Sequence, residues 1–168
     1  PLSQPLLPYH SLAPPAKISP RAAESMPTIS DQASTYVCKI RKGVYFSPDP
    51  AFKGKRRELT ADDYIYTIKR FKDPANKSPY ESFIDGIVGL EELKKAAEKT
   101  GQLDYDAPAE GLKALAPSTL KVKLKETDST FAHLMTLPNF GAVPGPVMPA
   151  YANPPHALAA CTCPHPPH

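Results

Sequence analysis

The sequence predicts an α+β domain: an antiparallel sheet with three to four helices packed on one side. Three stretches carry that prediction. Thr35–Arg41 alternates Tyr36, Cys38 and Ile40 against Val37, Lys39 and Arg41, and Thr119–Lys125 alternates Leu120, Val122 and Leu124 against Lys121, Lys123 and Lys125. A period of two with one apolar face belongs to strands whose sheet is dry on one side and wet on the other, so the two are paired antiparallel. Between them, ELTADDYIYTIKRFKDP spaces Tyr64, Ile65, Ile68 and Phe71 as one helical stripe.

That helix has both ends marked. Thr60 is a suitable N-cap, and Asp63 stands three residues on, where a carboxylate can reach back to the cap amide. Asp62 and Asp63 in the first turn, and Lys69, Arg70 and Lys72 in the last, complement the helix dipole. Asp73-Pro74 ends it, because a residue before proline is pushed out of helical geometry.

The 22 prolines gather towards the two ends. They divide the chain into an extended Pro-rich segment (1–34), a folded α+β centre (35–144) and a disordered Pro/His/Cys tail (145–168). In the first segment Leu6, Leu7 and Tyr9 suit a short edge strand, and Ala22–Ser25 a helical turn closed by Pro27. Lys42-Gly43 reads as a turn and Val44–Phe46 as a second short strand, followed by a solvated basic loop with Lys53, Lys55, Arg56 and Arg57. Beyond the central helix, Ser78–Ile84 is expected to begin a short helix with Pro79 at its first position. Leu90–Thr100 is expected as another, with Leu90, Leu93 and Ala97 on one face, Glu91 paired to Lys95 and Gly101 as its stop. Leu103–Pro117 reads as a loop, and Asp128 as the cap of a short helix through Phe131, Leu134 and Met135.

Composition excludes several functions. The formal charge is only +3 with acids and bases interleaved, which argues against a nucleic-acid binder, and the basic loop has no aromatic residues among its cations for base stacking. No apolar run approaches a membrane span, so no membrane insertion is expected. There is no nucleophile elbow or phosphate-cradling glycine loop. Cys38 falls on the inward face of its strand as a small hydrophobe, and His133 has no carboxylate spaced to orient it. Cys161, Cys163 and His165, with His156 and His168 nearby, are the nearest approach to a metal-ligand cluster, but they lack a second ligand pair held by folded structure. We therefore expect no enzyme, no catalytic residue, no metal and no cofactor.

Y-x-x-K-I-R-K-G-V-x-F (from Tyr36), L-T-A-D-D-Y-x-Y-x-I-K-R (from Leu59) and D-P-x-x-x-S-P-Y (from Asp73) occur in this order. Together they resemble the signature region of the extracytoplasmic solute-binding proteins of ABC importers, in the peptide and oligopeptide class (family 5). The resemblance runs from about Pro5 to Pro144. It implies part of lobe I of a class-C periplasmic-binding-protein fold, and capture of oligopeptides or a related solute for import. The implied partners are an ABC permease and ATPase, and the implied location is the periplasm or another extracytoplasmic space. Members of the class are longer, so the resemblance also implies a fragment whose leader lies upstream. It places Tyr80 and Phe83 nearest the ligand cleft. The competing expectation is a small interaction module whose basic loop, Lys53–Arg57, meets an acidic partner.

Overall fold

The computed structural model describes residues 22–46, 52–135 and 140–144, and the backbone of 9–10 and 17–18. The first two elements, β1 (Tyr9–His10) and β2 (Lys17–Ile18), pair antiparallel with each other. The expected strand residues Leu6 and Leu7, and the whole Cys/His tail, lie outside the described residues.

The main sheet has β3 (Thr28–Ser30), β4 (Thr35–Lys39), β5 (Leu112–Ala116) and β6 (Thr119–Lys123) in the order β3-β4-β6-β5, all antiparallel. The pairing inferred from the two alternating stretches is its centre: Tyr36 lies opposite Val122 and Cys38 opposite Leu120. Tyr36, Cys38, Ile40, Leu120, Val122 and Leu124 are all buried, as the alternation requires.

Helix α1 (Ala61–Lys72) lies against β5 and β6. Its Tyr64 and Ile68 are buried, and Ile65 and Phe71 pack half-buried against the same core. At its start the Asp63 carboxylate accepts the Thr60 amide (2.9 Å) and the Thr60 hydroxyl (3.1 Å). It ends at Asp73, whose Oδ1 accepts the Ala75 amide in the turn that follows. Helix α2 (Leu90–Thr100) packs on α1 and stops at Gly101, which takes the left-handed conformation that glycine allows without strain. Helix α3 (Phe131–Leu134) sets Phe131 against the Tyr36 ring at 5.2 Å, and Met135 beyond it meets Cys38. Thr130 takes the N-cap position, and Asp128 acts beneath it by accepting the Thr130 amide.

Several local expectations are corrected. Val44–Phe46 forms only an isolated bridge, Tyr45 to Glu58, with the Phe46 amide donating to Arg57 and the Leu59 amide donating to Val44. Ala22–Ser25 is not a helical turn: Ala23 bridges Ile40 and Arg41 donates to the Ala22 carbonyl, so this segment extends the sheet edge. The segment after Ser78 forms a 3-10 turn, Glu81–Ile84, with Tyr80 rather than Ser78 ahead of it. Part of the expected loop Leu103–Pro117 is strand β5, hydrogen-bonded to β6. Strand β3 follows a signal the sequence does not advertise, since all three of its residues are exposed.

Two backbone details fix the sheet's borders. Gly111 is buried between the Val88 and Lys123 carbonyls, and a Cβ there would stand 2.5 Å from the Val88 oxygen. Only glycine permits that approach, which lets Gly111 donate to Val88 and accept from Lys123. Asp31, Gln32 and Ala33 are consecutive non-glycine residues in the left-handed region, turning β3 into β4. Such residues each cost on the order of 1–2 kcal/mol. The turn is held by the Ser34 amide and hydroxyl, both donating to the Asp31 carbonyl.

Candidate functional site

The ligand-facing expectation fell on Tyr80 and Phe83, and the structure places both on the segment joining α1 to α2. Phe71, in the last turn of α1, is the brace: its ring lies 5.9 Å from Tyr80 and 4.9 Å from Phe140. Tyr80 in turn stands 6.1 Å from Phe83. The series runs outward from the core. Phe140 is buried, Phe71 and Tyr80 are half-buried, and Phe83 is 47% exposed. An aromatic ring held out at the surface by a row of tilted, packed rings can offer apolar contact to a ligand without first ordering itself.

Beside this row lies a cavity of about 320 Å³ lined by Ser78, Pro79, Glu81, Ser82, Asp85, Glu91 and Lys94. Neither Tyr80 nor Phe83 lines it. Its character is ionic. The buried ammonium of Lys72 pairs with three lining carboxylates, Asp85, Glu91 (3.5 Å) and Glu81 (3.8 Å), and Lys94 bridges Glu81 (2.5 Å) and Glu98 (3.8 Å). Glu91 thus turns to Lys72 across the α1–α2 interface, and not along its own helix to Lys95. The partners of Lys72 are one-third to more than half exposed, so water reaches the carboxylates but not the ammonium.

The loop after α2 is tied down by a second buried lysine. Lys69 donates to the carbonyls of Tyr105 and Ala107, both at 2.7 Å, and burial lowers its pKa below the ordinary 10.5. Tyr105 stacks on Tyr66 at 4.5 Å and donates to Asp73 at 2.6 Å. Burial, then the bond to Asp73, raises the Tyr105 phenol above its ordinary value. The segment 140–144 is fastened by Thr67, whose hydroxyl donates to Asp63 and Gly141 carbonyls and accepts the Val143 amide.

The basic loop is largely occupied by the fold. Arg57 pairs with buried Asp63 and lies over the Phe46 ring, and Arg56 lies 4.6 Å over Tyr45. Burial raises the Asp63 carboxyl above its ordinary value, while the Thr60 amide and the Arg57 charge draw it back down. Only Lys53 and Lys55 of the four cations remain uncommitted to contacts with described residues.

Nucleophilic chemistry has no support at Cys38. Its thiol is buried, its pKa is pushed up to about 12 by that burial, and its sulfur lies 3.9 Å from the Met135 sulfur. A thiol that stays protonated in an apolar core is inert. Among the described residues no three His, Cys, Asp or Glu side chains gather as metal ligands, and no helix is long and apolar enough to cross a membrane.

The same architecture occurs in solved structures. The pheromone receptor PrgZ superposes with a TM-score of 0.68 at 22% identity, covering 89% of this chain and 26% of that one. OppA of Burkholderia pseudomallei superposes at 0.67 and 18% identity, covering 95% and 27%. In sequence, the periplasmic oligopeptide-binding protein OppA of Escherichia coli is 32% identical over 88 residues, 51% of this chain and 15% of the relative. The di/tripeptide-binding protein 1 of Pseudomonas aeruginosa is 30% identical over 128 residues, 73% of this chain and 20% of the relative. The chain therefore spans about one-fifth or less of the length of these curated relatives. Residues 17–158 match the family model for bacterial extracellular solute-binding proteins, family 5 Middle, and the chain belongs to that family.

Proposed function

We propose that this chain forms part of the solute-capturing lobe of an extracytoplasmic peptide-binding protein, which delivers oligopeptides or a related solute to an ABC permease and its ATPase. Residues 35–144 are its smaller α+β subdomain, and Tyr80 and Phe83 offer an aromatic wall to the bound solute. The observation that carries this reading is the family match across 17–158, joined to a half-exposed ring, Phe83, supported by packed rings behind it. The role is one of binding alone. Capture in this reading needs a second lobe that closes over the solute about a hinge, so one lobe contributes contacts but not enclosure.

Calorimetry against a mixed oligopeptide pool tests both parts. The isolated chain is expected to show no strong saturable binding; tight binding would contradict the shared-cleft reading. In the intact protein carrying this segment, Phe83→Ala is expected to weaken peptide binding by roughly tenfold, the scale of a lost aromatic contact, with its melting temperature unchanged. Unaltered affinity would remove Phe83 from the cleft.

A further inference from the structure

Apart from solute capture, we propose that the outer face of the four-stranded sheet is a docking surface for an anionic lipid bilayer. The inner face is the core; the outer face carries four lysines among small polar residues. Lys39, Lys113, Lys121 and Lys123 all project outward by their register, opposite in parity to buried Cys38, Leu112, Leu120 and Val122. Lys39, Lys113 and Lys123 are exposed and Lys121 is half-buried at the centre. None of the four strands contains an aspartate or a glutamate.

Lys113 and Lys121 are direct cross-strand partners, a like-charge pairing that costs stability. None of the four lysines forms an ion pair with a described residue, whereas the ion pairs present engage Arg57, Lys72 and Lys94. Among the described residues this repulsive cationic array is not neutralised, and an external surface of opposite charge relieves that repulsion.

The shape of the array selects the occupant. A protein interface is organised around a buried apolar or aromatic centre. Here the large apolar side chains off the core in β4, β5 and β6 are half-buried Val37 at the centre and an exposed Leu115 out on the β5 edge, too far apart in the sheet to form one. Single-stranded nucleic acid needs aromatic platforms, and the outward positions of these strands carry none. Ammonium groups are compact point charges on flexible stems, unlike the planar guanidinium fork suited to specific carboxylate pairing. Several such charges spread over a nearly flat face complement a plane of lipid phosphates, and each contributes to adsorption independently.

The test is co-sedimentation of the whole 168-residue chain with phosphatidylcholine vesicles, with and without phosphatidylglycerol, at low and high salt. Binding is expected only to the phosphatidylglycerol vesicles, and high salt should abolish it. Each lysine-to-glutamine change on the face should weaken partitioning about fivefold. The combined variant Lys39→Gln, Lys113→Gln, Lys121→Gln, Lys123→Gln should release the chain from the vesicles. Its melting temperature should be unchanged or raised, because these exposed cations repel one another. Lys53→Gln with Lys55→Gln in the basic loop should leave partitioning intact. The proposal is overturned if the unaltered chain ignores anionic vesicles, if the four-lysine variant binds as well as the original, or if the loop variant is the one that lets go. Retention by immobilised polyglutamate without vesicle binding would overturn it too, making the face a protein site.

Discussion

Helix α1 lies between two unlike contacts. Towards the sheet it presents Tyr64 and Ile68 to a dry core that includes Leu120 and Val122. Towards the segment 73–109 it presents Lys69 and Lys72, both buried, to carbonyls and carboxylates. Consecutive residues, Ile68 and Lys69, fall on the two sides. The first contact rests on removing apolar surface from water and needs only the right period of side chains. The second rests on matching buried polar groups with partners from distant positions, and its net worth is small because desolvation offsets attraction. The sheet side should therefore hold the fold together, and the polar seam should decide how the segment carrying Tyr80 and Phe83 sits upon it.

The largest expected effect tests the dry side. Ile68→Ala removes a buried branched side chain and should cost about 3 kcal/mol, within the range of cavity-forming core substitutions. A urea unfolding curve would show it as a fall in midpoint at unchanged slope. A loss below about 1 kcal/mol would mean that the helix gains little from the sheet. At the seam, Lys72→Ala leaves Asp85, Glu91 and Glu81 facing one another without their shared cation. Breaking a buried pair costs about 3–5 kcal/mol when the remaining charge is sealed from water. These carboxylates are partly hydrated, so about 2 kcal/mol is expected, and added salt should reduce it.

The same division decides what could be read from the sequence. Strands β4 and β6, helix α1 with its Asp63 box, and helix α2 with its Gly101 stop are written as local periodicity and end signals, and all stand where those signals put them. Strands β3 and β5 are not. Thr28–Ser30 is wholly exposed, and only Leu112 of Leu112–Ala116 is buried, so edge strands leave little hydrophobic pattern and take their form from the neighbour they pair with. Gly111, which makes the β5 approach possible, carries no local cue that the Val88 and Lys123 carbonyls close upon it. Lys72 reads as a last-turn cation that complements the helix dipole; its burial follows from three acids between positions 81 and 91 that only the tertiary fold brings over it. The expectation for Tyr80 and Phe83 rests on family resemblance alone, since the tilted packing of the Phe71 and Phe140 rings behind them has no signature in local sequence.

Alkaline pH should separate the two sides by sign. The Cys38 thiol has its folded pKa pushed up to about 12 from 9.0, so its contribution is complete below pH 9 and is lost as pH climbs from 9 towards 12. Between pH 9 and 10 this loss should amount to about 1 kcal/mol, and Cys38→Ala should remove that slope. Lys69 has the opposite displacement. Its folded pKa is below 10.5, so the unfolded chain holds the extra proton and stability rises as pH climbs from that lowered value towards 10.5. Tyr105, raised above 10.0, adds a further loss only beyond pH 10. Unfolding measured from pH 9 to 10 for the parent, Cys38→Ala and Lys69→Met chains resolves the opposed terms. A parent-like slope in Cys38→Ala would show that the thiol is not sealed in the core.

The smallest global effect should come from Lys69→Met. The exchange removes a costly buried ammonium and two hydrogen bonds while keeping an unbranched side chain one atom shorter, so the terms nearly cancel and less than about 1 kcal/mol is expected. The local effect is different. Lys69 is the tie that draws the Tyr105 and Ala107 carbonyls to α1, and without it the Tyr66 stack, the Asp73 bond and buried Leu103 are left to keep the loop down. Amide exchange around Tyr105–Ala107 should accelerate roughly tenfold, the measure of about 1.4 kcal/mol of local opening, while the amides of β4 and β6 keep their parent rates. Equal acceleration in loop and sheet would mean that α1 transmits the seam's loss into the core, and the two contacts would no longer be independent.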